Sequence, residues 1–255
     1  MNNKYVNDRI SVIIPVFNAE KYIGHALESV FVQTYKNIEV VLVDDCSKDA
    51  SVNIIERYQK KYPGIIYFRQ EINMGAGAAR NKALELASGR YVAFLDSDDL
   101  WLPGKIEKQL LIMKEKNTPF SYTAIEMINE EGIRIKPKRK IKESCNYAYL
   151  LHNTIIATSS VVIDRDFFGD FRMSLRREGQ DYATWLMLLR GGVVAYGVNE
   201  ALVKYRVRSG SLSSNKFKSI KQVWDIQTKD EKIDKTSAMI YAGCFAFNAF
   251  KKYFI

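Results

Sequence analysis

The chain has 255 residues, 47% of them hydrophobic, which suits one α/β domain or a domain with a small appendage. Its formal net charge of +9 favours anionic partners such as phosphorylated small molecules, acidic lipid headgroups or nucleic acid, although ordinary surface lysines explain the excess equally well. Three scattered cysteines without a CxxC pair, and only two histidines, argue against a zinc site and against a disulfide framework.

The two ends of the chain show no targeting or spanning pattern. The first residues, MNNKYVNDR, are polar and lead directly into a strand-like run, so they predict no apolar targeting segment. No internal stretch reaches the roughly 18 uninterrupted apolar residues of a membrane span, and the nearest candidate, 236–250, is short. We therefore expect a cytoplasmic protein.

Strand-like and helix-like runs alternate in the first 117 residues. Strands are predicted at 10–17, 38–44, 65–70 and 91–96, and helices at 19–33, 49–62, 75–87 and 103–116. Strands that are apolar on both faces and separated by single helices predict a mostly parallel sheet with helices on both sides. Ligands of such sheets bind beyond the carboxyl ends of the strands, where the polar clusters of this sequence fall.

Past residue 117 the alternation becomes less regular. Strands are predicted at 119–129, 159–164, 193–198 and 201–207, a helix at 179–192, and further helix after residue 215. Six basic residues lie between Arg134 and Lys142. Such a run is typical of a solvated loop, and it also suits contact with acidic lipid or with a phosphorylated acceptor.

Three carboxylates crowd the end of the strand predicted at 91–96, in the sequence DSDD. Like charges so close raise one another's pKa, so Asp96, Asp98 and Asp99 call for a compensating positive charge. Hard oxygen ligands at a strand terminus suit Mg²⁺ or Mn²⁺, which usually keep open positions for substrate phosphates. The alternative is an acidic helix cap that accepts hydrogen bonds from free backbone N–H groups.

Two further segments follow strands and carry groups that can recognise a nucleotide. In VDDCSKDAS, Asp44 or Asp45 could accept hydrogen bonds from a ribose or a base edge. Ser47 or Asp49 in the same segment predicts the N-cap of the next helix. In NMGAGAARN, small residues permit close approach of a ligand, and Arg80 could reach a diphosphate or form a structural ion pair.

Two later segments each allow a structural and a functional interpretation. Glu178 and Asp181 stand at the start of a strongly apolar helix, which suits either a capping box or a general base. The basic and serine-rich stretch YRVRSGSLSSNK, at 205–216, suits either a cover over phosphates or an ordinary polar loop.

Taken in this order, five stretches resemble glycosyltransferases of family 2. They are SVIIPVFNAEKYI, VVLVDDCSKDAS, NMGAGAARN, YVAFLDSDDLWLP and GQDYATWLMLL, and they extend from residue 11 to about residue 190. The resemblance implies the α/β GT-A fold of nucleotide-diphospho-sugar transferases, with a mostly parallel central sheet, helices on both faces and a C-terminal helical tail. It implies a catalytic domain at 1–215, with a nucleotide-sugar-binding half at 1–117 and an acceptor-binding half at 118–215, and a helical extension at 216–255.

The resemblance also implies roles for individual residues. It implies a donor-binding set made of Pro15, Phe17, Glu20, Asp45, Asn73, Arg80, Asp96 and Ser97. Asp96 and Asp98 would hold Mn²⁺ or Mg²⁺, with Asp99 as a further candidate ligand. Asp181 would be the catalytic base of a single displacement that inverts the anomeric configuration. The implied donor is a UDP-sugar, and the implied acceptor is a saccharide in surface polysaccharide or lipopolysaccharide biosynthesis. A lipid-linked acceptor is suggested instead by the apolar C-terminal stretch, the basic run at 134–142 and the net charge of +9.

Two positions depart from the family pattern. Gln180 stands where relatives have the first acid of a Glu-Asp pair. Arg208 lies in the stretch where relatives often have a histidine, and it could take over a phosphate contact. No QxxRW motif follows Asp181, which argues against a processive synthase.

Two other classes of protein share some of these features. A sugar-phosphate nucleotidyltransferase would also use paired acids and a metal, but it would begin with a glycine- and basic-rich phosphate loop, which PVFNAEKY does not supply. A non-enzymatic nucleic-acid-binding module would explain the positive charge, yet three acids at a strand end would repel phosphate without a metal. We therefore expect no nucleic-acid partner.

The C-terminal stretch SAMIYAGCFAFNAFKKYFI is mostly apolar and has two lysines near its end. It could pack as a helix on the catalytic domain, or lie in a membrane interface with the help of its basic residues. The second alternative predicts a peripheral protein on an anionic membrane surface, at the inner face of the cytoplasmic membrane.

Overall fold

The computed structural model describes residues 4–135, 141–208 and 216–254. The centre of the basic run, 136–140, and most of the serine-rich stretch, 209–215, lie outside the described residues.

The first half of the chain alternates strands and helices as the sequence predicts. The elements are β1 (Val6–Val16), α1 (Ile23–Phe31), β2 (Ile38–Asp44), α2 (Ser51–Lys61), β3 (Ile65–Arg69), α3 (Ala76–Leu86), β4 (Gly89–Phe94), the short β5 (Leu100–Trp101) and α4 (Lys105–Glu115). The helix bounds fall one to four residues inside the predicted ones, since the predicted ranges included the capping residues and loops.

The second half has longer connections and shorter elements. They are β6 (Phe120–Ile128), β7 (Ser144–Cys145), α5 (Tyr147–Leu151), β8 (Val162–Asp164), α6 (Arg165–Phe168), α7 (Gln180–Leu189), β9 (Ala195–Arg206), α8 (Lys216–Asp225) and α9 (Lys235–Phe254). A 3-10 turn, Thr158–Ser160, precedes β8, and a π-helical turn, Ile226–Asp230, follows α8.

Within the described ranges the strands form one sheet, in the order β3-β2-β1-β4-β8-β6-β9-β5, with β7 also paired to β9. The first four strands of that order are parallel, which confirms the sheet predicted for the first half. β8 runs antiparallel to both of its neighbours, β4 and β6, so the second half of the sheet is mixed. The parallel strands place the carboxyl ends of β1, β2 and β4 along one edge.

The core lies in two layers, one on each face of the sheet. On β1, Ile13 faces the layer that contains α3 and α7, whereas Val12 and Ile14 face the layer under α1 and α2. All three side chains are fully buried. Burial on both faces explains why the strand is apolar throughout instead of alternating.

The two strands predicted at 193–198 and 201–207 are one continuous strand, β9, so their separation was wrong. The pairing of β9 with β6 passes from Val198 to Ala201 and leaves Asn199 and Glu200 as extra residues. Such a bulge lets two polar residues interrupt an apolar strand without ending it. The sequence pattern therefore suggested a turn where the strand only bends.

The strand predicted at 159–164 is shorter than expected, and only Val162–Asp164 is extended. Ser160 Oγ donates to the carbonyl of Ala157 at 2.7 Å, within the 3-10 turn. Short polar side chains of this kind offer the backbone an alternative to strand pairing.

The helical C-terminal part is attached to the rest of the chain by ion pairs and by one buried amide. Arg176 pairs with Asp230 at 2.5 Å, and Gln227 Nε2 donates to the carbonyl of Leu151 at 2.7 Å. In α9, Ala238 is fully buried, so one face of this helix packs on the protein. The other face exposes apolar side chains, at Met239, Ile240 and Phe247. Among the described residues, no helix is both long enough and apolar enough to cross a bilayer.

Candidate active site

Four acidic residues from distant parts of the chain meet at the carboxyl edge of the sheet. Asp96, Asp98 and Asp99 follow β4, and Asp181 is the second residue of α7. We call these four residues the acidic cluster. Ser159 Oγ accepts from the backbone N–H of Asp96 at 3.0 Å, and the adjacent Thr158 Oγ1 lies 3.4 Å from Asp181 Oδ2. The carboxylates of β4 and α7 therefore share one site.

Arg80 is the positive charge nearest to Asp96. Its guanidinium Nη2 lies 2.5 Å from Asp96 Oδ1, and only 6% of the Arg80 side chain is exposed. The buried Nε–H of Arg80 has no hydrogen-bond partner within the described part of the chain. A buried guanidinium with one N–H left over can still donate to an anion that enters the site.

Asp98 is paired with a different arginine. Arg208 Nε lies 2.8 Å from Asp98 Oδ2, and 17% of the Asp98 side chain is exposed. Burial raises the pKa of the Asp98 carboxyl, the charge of Asp96 raises it further, and the guanidinium of Arg208 opposes both effects. The repulsion expected from the sequence is thus present, and the two arginines are its counter-charges in the described structure.

Asp99 lies behind the other two acids, and its contacts are internal. Asp99 Oδ2 accepts from Ser159 Oγ at 2.6 Å, and Oδ1 accepts from the backbone N–H of Arg206 at 2.8 Å. Burial raises the pKa of this carboxyl well above its usual range, and the charges of Asp96 and Asp98 add to the effect. Asp99 therefore ties the end of β9 to the loop after β4, whereas the resemblance made it a candidate metal ligand.

Asp181 is held at the start of α7 by two hydrogen bonds. Its Oδ1 accepts from the backbone N–H of Tyr182 at 2.8 Å, and its Oδ2 lies 3.4 Å from Thr158 Oγ1. Burial raises the pKa of the Asp181 carboxyl, and the nearby charge of Arg80 lowers it. Glu178, the other acid of this segment, pairs with Lys218 of α8.

Asp45 organises the loop that leads into α3. Its Oδ1 accepts from the backbone N–H of Met74 at 2.7 Å and its Oδ2 from that of Gly75 at 2.8 Å. Asn73 Nδ2 donates to the Asp45 carbonyl at 3.2 Å. Asp45 is 3% exposed, so its carboxylate shapes the loop before the helix and has little free surface for a ligand.

The other donor-binding residues implied by the resemblance border the same edge. Pro15 is buried near the end of β1, and Phe17 just beyond it is 49% exposed. Glu20 Oε2 accepts from the backbone N–H of Ala50 at 2.9 Å, so it caps the start of α2. Ser97 is partly exposed, between the two acids predicted as metal ligands.

Tyr205 has no specific role in the sequence analysis, yet it lies beside the acidic cluster. Burial raises the pKa of its hydroxyl, and the charges of all four acidic residues of the cluster raise it further. Tyr205 lies near the end of β9, a strand whose carboxyl end reaches this edge. The sequence signals that point to it are this position and its place at the start of the stretch YRVRSGSLSSNK.

The acidic cluster could also hold a divalent cation. Asp96 and Asp98 each use one oxygen for an arginine, and the other oxygen makes no hydrogen bond to another described residue. Two adjacent carboxylates with free oxygens fit the protein's share of a magnesium or manganese site that is completed by substrate phosphates. In the described part of the chain, no three His, Cys, Asp or Glu residues converge as a complete metal cage.

Gly77 allows α3 and α7 to approach each other closely. A Cβ atom at this position would lie 2.7 Å from Gln180 Oε1 and 2.7 Å from the backbone carbonyl of Ser174. The small residues of the segment NMGAGAARN thus make room here for the protein's own chain. Because Arg80 is on α3 and Asp181 on α7, this contact helps to set the distance between these two residues.

Gly77→Ala is therefore expected to reduce the free energy of unfolding by about 1–3 kcal/mol through overpacking, although alanine normally favours a helix. Urea denaturation measures the change. The matched control is Gly191→Ala, where an added Cβ meets no atom within 4 Å. Equal stabilities of the two variants would contradict the close packing of α3 on α7.

Comparisons with known sequences identify the family of this chain. The model of glycosyl transferase family 2 matches residues 11–177. TuaG of Bacillus subtilis, a candidate teichuronic acid biosynthesis glycosyltransferase, is 43% identical over 243 residues, which are 95% of this chain and 96% of that protein. WfgD of Escherichia coli, a UDP-Glc:α-D-GlcNAc-diphosphoundecaprenol β-1,3-glucosyltransferase, is 37% identical over 219 residues, 85% of this chain and 84% of that protein.

Solved structures share the fold. TarS of S. aureus in complex with UDP superposes with a TM-score of 0.70 and 20% identity, over 93% of this chain and 70% of that one. The mannosyltransferase PcManGT of Pyrobaculum calidifontis, in complex with GDP-Man and Mn²⁺, gives a TM-score of 0.66 and 17% identity, over 93% and 69%. These likenesses confirm the expected GT-A fold. Because the family model and the relatives cover most of the sequence, the chain belongs to glycosyl transferase family 2 and is a glycosyltransferase.

Proposed function

We propose that this chain transfers one sugar from a UDP-sugar to a hydroxyl group of a lipid-linked saccharide, with inversion and with the help of Mn²⁺ or Mg²⁺. The observation that carries the proposal is the position of Arg80. This residue is paired with Asp96, and its positive charge lowers the pKa of Asp181. Groups suited to bind a leaving diphosphate and to take a proton thus lie around one buried guanidinium.

Asp96 and Asp98 would hold the divalent cation through their free oxygens, beside Ser97. A bound cation would offset the negative charge that develops on the departing nucleoside diphosphate. Arg80 would stabilise the same charge with its unused Nε–H, which is already buried and needs no reorganisation. The exposed ring of Phe17 and the loop that Asp45 and Asn73 organise would form the nucleotide side of the pocket.

Asp181 would act as the base. Its carboxylate receives the proton of the acceptor hydroxyl while the acceptor oxygen bonds to the anomeric carbon. The bond from that carbon to the diphosphate oxygen breaks at the same time, and the nucleoside diphosphate leaves with the electron pair. Thr158 and the backbone of Tyr182 hold the carboxylate in place. One displacement inverts the anomeric configuration and requires no covalent intermediate with the enzyme.

The proposed substrates rest on the relatives. WfgD is named for a UDP-Glc donor and a GlcNAc-diphosphoundecaprenol acceptor, and TarS was solved with UDP. A lipid-linked acceptor suits the exposed apolar face of α9, which could lie against a membrane surface while the opposite face stays packed. We place the protein accordingly at the inner face of the cytoplasmic membrane, with donor binding in 1–117, acceptor binding in 118–215 and the helical extension at 216–255.

A panel of nucleotide sugars tests the donor side of this proposal. We expect one UDP-sugar to raise the melting temperature of the protein in Mn²⁺ and to have no such effect in excess EDTA. The panel should contain glucose, galactose and their N-acetyl forms on UDP, together with GDP- and dTDP-sugars as controls. Stabilisation by GDP- or dTDP-sugars alone, or equal stabilisation in EDTA, would contradict the proposed donor or the proposed metal.

A further inference from the structure

Two arginines at the end of β9 reach the loop after β4, and their surroundings differ greatly. Arg206 is 6% exposed, and its guanidinium donates to three backbone carbonyls, those of Asp98, Asn129 and Glu130, at 2.8–2.9 Å. Its backbone N–H donates to Asp99 Oδ1. Arg206 is thus part of the framework and cannot leave without breaking several buried hydrogen bonds.

Arg208, two residues further, has far fewer commitments. Its side chain is 44% exposed, and its hydrogen-bonded partner among the described residues is the Asp98 carboxylate. Its guanidinium carbon lies 5.9 Å from the centre of the Tyr22 ring. This contact is weak and does not hold the side chain in place. Water reaches the arginine side of this ion pair and screens it, so little opposes the exchange of Asp98 for another anionic partner.

We propose that Arg208 is the counter-cation of Asp98 in the nucleotide-free enzyme and that it moves to the donor diphosphate when cation and nucleotide bind together. This inference rests on the proposed function, because it assumes that Asp98 is a ligand of the divalent cation. Arg208 would then have two successive partners. It neutralises the Asp98 carboxylate before the donor binds, and it contacts the donor diphosphate afterwards.

The physical reason is competition for one carboxylate. Arg208 and a divalent cation are both positive, so they repel each other when both are held by Asp98. A cation that binds without nucleotide must displace Arg208 from Asp98, and the displaced guanidinium then has no new anionic partner. A nucleotide diphosphate supplies a new anionic partner, to which a guanidinium donates paired hydrogen bonds. We therefore expect the nucleotide to raise the affinity for the cation. The cation should raise the affinity for the nucleotide by the same factor, since such coupling is reciprocal.

Mn²⁺ binding to the full chain, followed by the electron paramagnetic resonance signal of the free ion, tests this inference without any turnover. Without nucleotide, Arg208→Gln is expected to tighten Mn²⁺ binding by about two- to fivefold, because the competing charge is gone. With UDP present, the same variant is expected to show a smaller gain in Mn²⁺ affinity from the nucleotide than the wild type shows.

The control is Arg190→Gln, which removes a similarly exposed arginine from an ion pair with Glu231, also 2.8 Å long. Arg190 follows the last residue of α7, about 13 Å along the helix axis from Asp181. The Arg190→Gln substitution should therefore leave the Mn²⁺ affinity unchanged. In Arg208→Gln combined with Asp98→Asn, the tightening should disappear.

The outcomes separate this inference from the proposed function. Unchanged or weaker Mn²⁺ binding in Arg208→Gln, with nucleotide-dependent Mn²⁺ binding intact in the wild type, would overturn the role of Arg208 alone. If the wild type and Arg208→Gln both fail to bind Mn²⁺, even with UDP, the metal assignment fails and the inference falls with it. Tightening that persists when Asp98→Asn is added would also overturn it, because the effect would then not pass through that carboxylate.

Discussion

Replacing Asp181 with asparagine is expected to lower kcat by about 10²–10⁴-fold, the usual contribution of a positioned general base. Asparagine has the same shape and can keep the hydrogen bond from the backbone of Tyr182. It cannot take a proton from the acceptor. Donor affinity should change little, because the proposed role of Asp181 is toward the acceptor hydroxyl. Steady-state kinetics and calorimetric titration with the UDP-sugar measure the two effects separately.

The pH dependence gives a second readout of the same substitution. Burial raises the pKa of Asp181 above its ordinary value of 3.8, so the wild-type rate should fall on the acid side as this carboxyl becomes protonated. The variant should lack that acid limb. Glu178→Gln serves as the control, because this neighbouring acid faces Lys218. Near-normal turnover in Asp181→Asn would contradict the assignment of Asp181 as the base. A large loss of turnover in Glu178→Gln would point to Glu178 instead.

Asp98→Asn is expected to abolish the Mn²⁺ dependence of donor binding. The amide keeps the size of the side chain but supplies no negative charge, so it is a poor ligand for a hard cation. We expect the dissociation constant of the UDP-sugar in Mn²⁺ to rise to the value that the wild type shows in EDTA. Calorimetric titration under both conditions measures this directly.

Asp99→Ala provides the contrast for that experiment. Asp99 accepts hydrogen bonds from Ser159 and from the backbone of Arg206 in the interior, so its loss should lower the melting temperature. Asp98→Asn should melt close to the wild type, since Asp98 pairs with the half-exposed Arg208. Retention of tight, Mn²⁺-dependent donor binding by Asp98→Asn would rule out this residue as a metal ligand.

The sequence predicted the parallel half of the sheet well because each strand there is an apolar run with sharp polar ends. β2 begins at Ile38 and ends at Asp44, as predicted, since Asn37 and Asp45 bound the run. β9 was divided in two because Asn199 and Glu200 form a bulge inside the strand. A bulge is decided by pairing with a distant strand, and a local pattern carries no trace of that partner.

The acidic residues and Arg80 of the candidate site were predicted from the sequence, whereas Tyr205 and the contacts between the residues were not. That Asp96 and Arg80 lie together follows from the rule that strand ends of a parallel sheet share an edge. The internal role of Asp99 depends on Ser159, which is 60 positions away in the chain. The pairing of Arg208 with Asp98 depends likewise on where β9 ends. Such contacts are set by tertiary packing, which the spacing of residues in the sequence does not encode.

The most direct test of the account is a transfer assay with the purified protein, Mn²⁺, a labelled UDP-sugar and a GlcNAc-diphospho-lipid acceptor. We expect a lipid product that is heavier by one sugar, with the new linkage inverted relative to the donor, and no product when EDTA is added. Transfer with retained configuration, or full transfer in EDTA, would contradict the single metal-assisted displacement. If the panel of UDP-sugars yields no lipid-linked product, the proposed substrates are wrong.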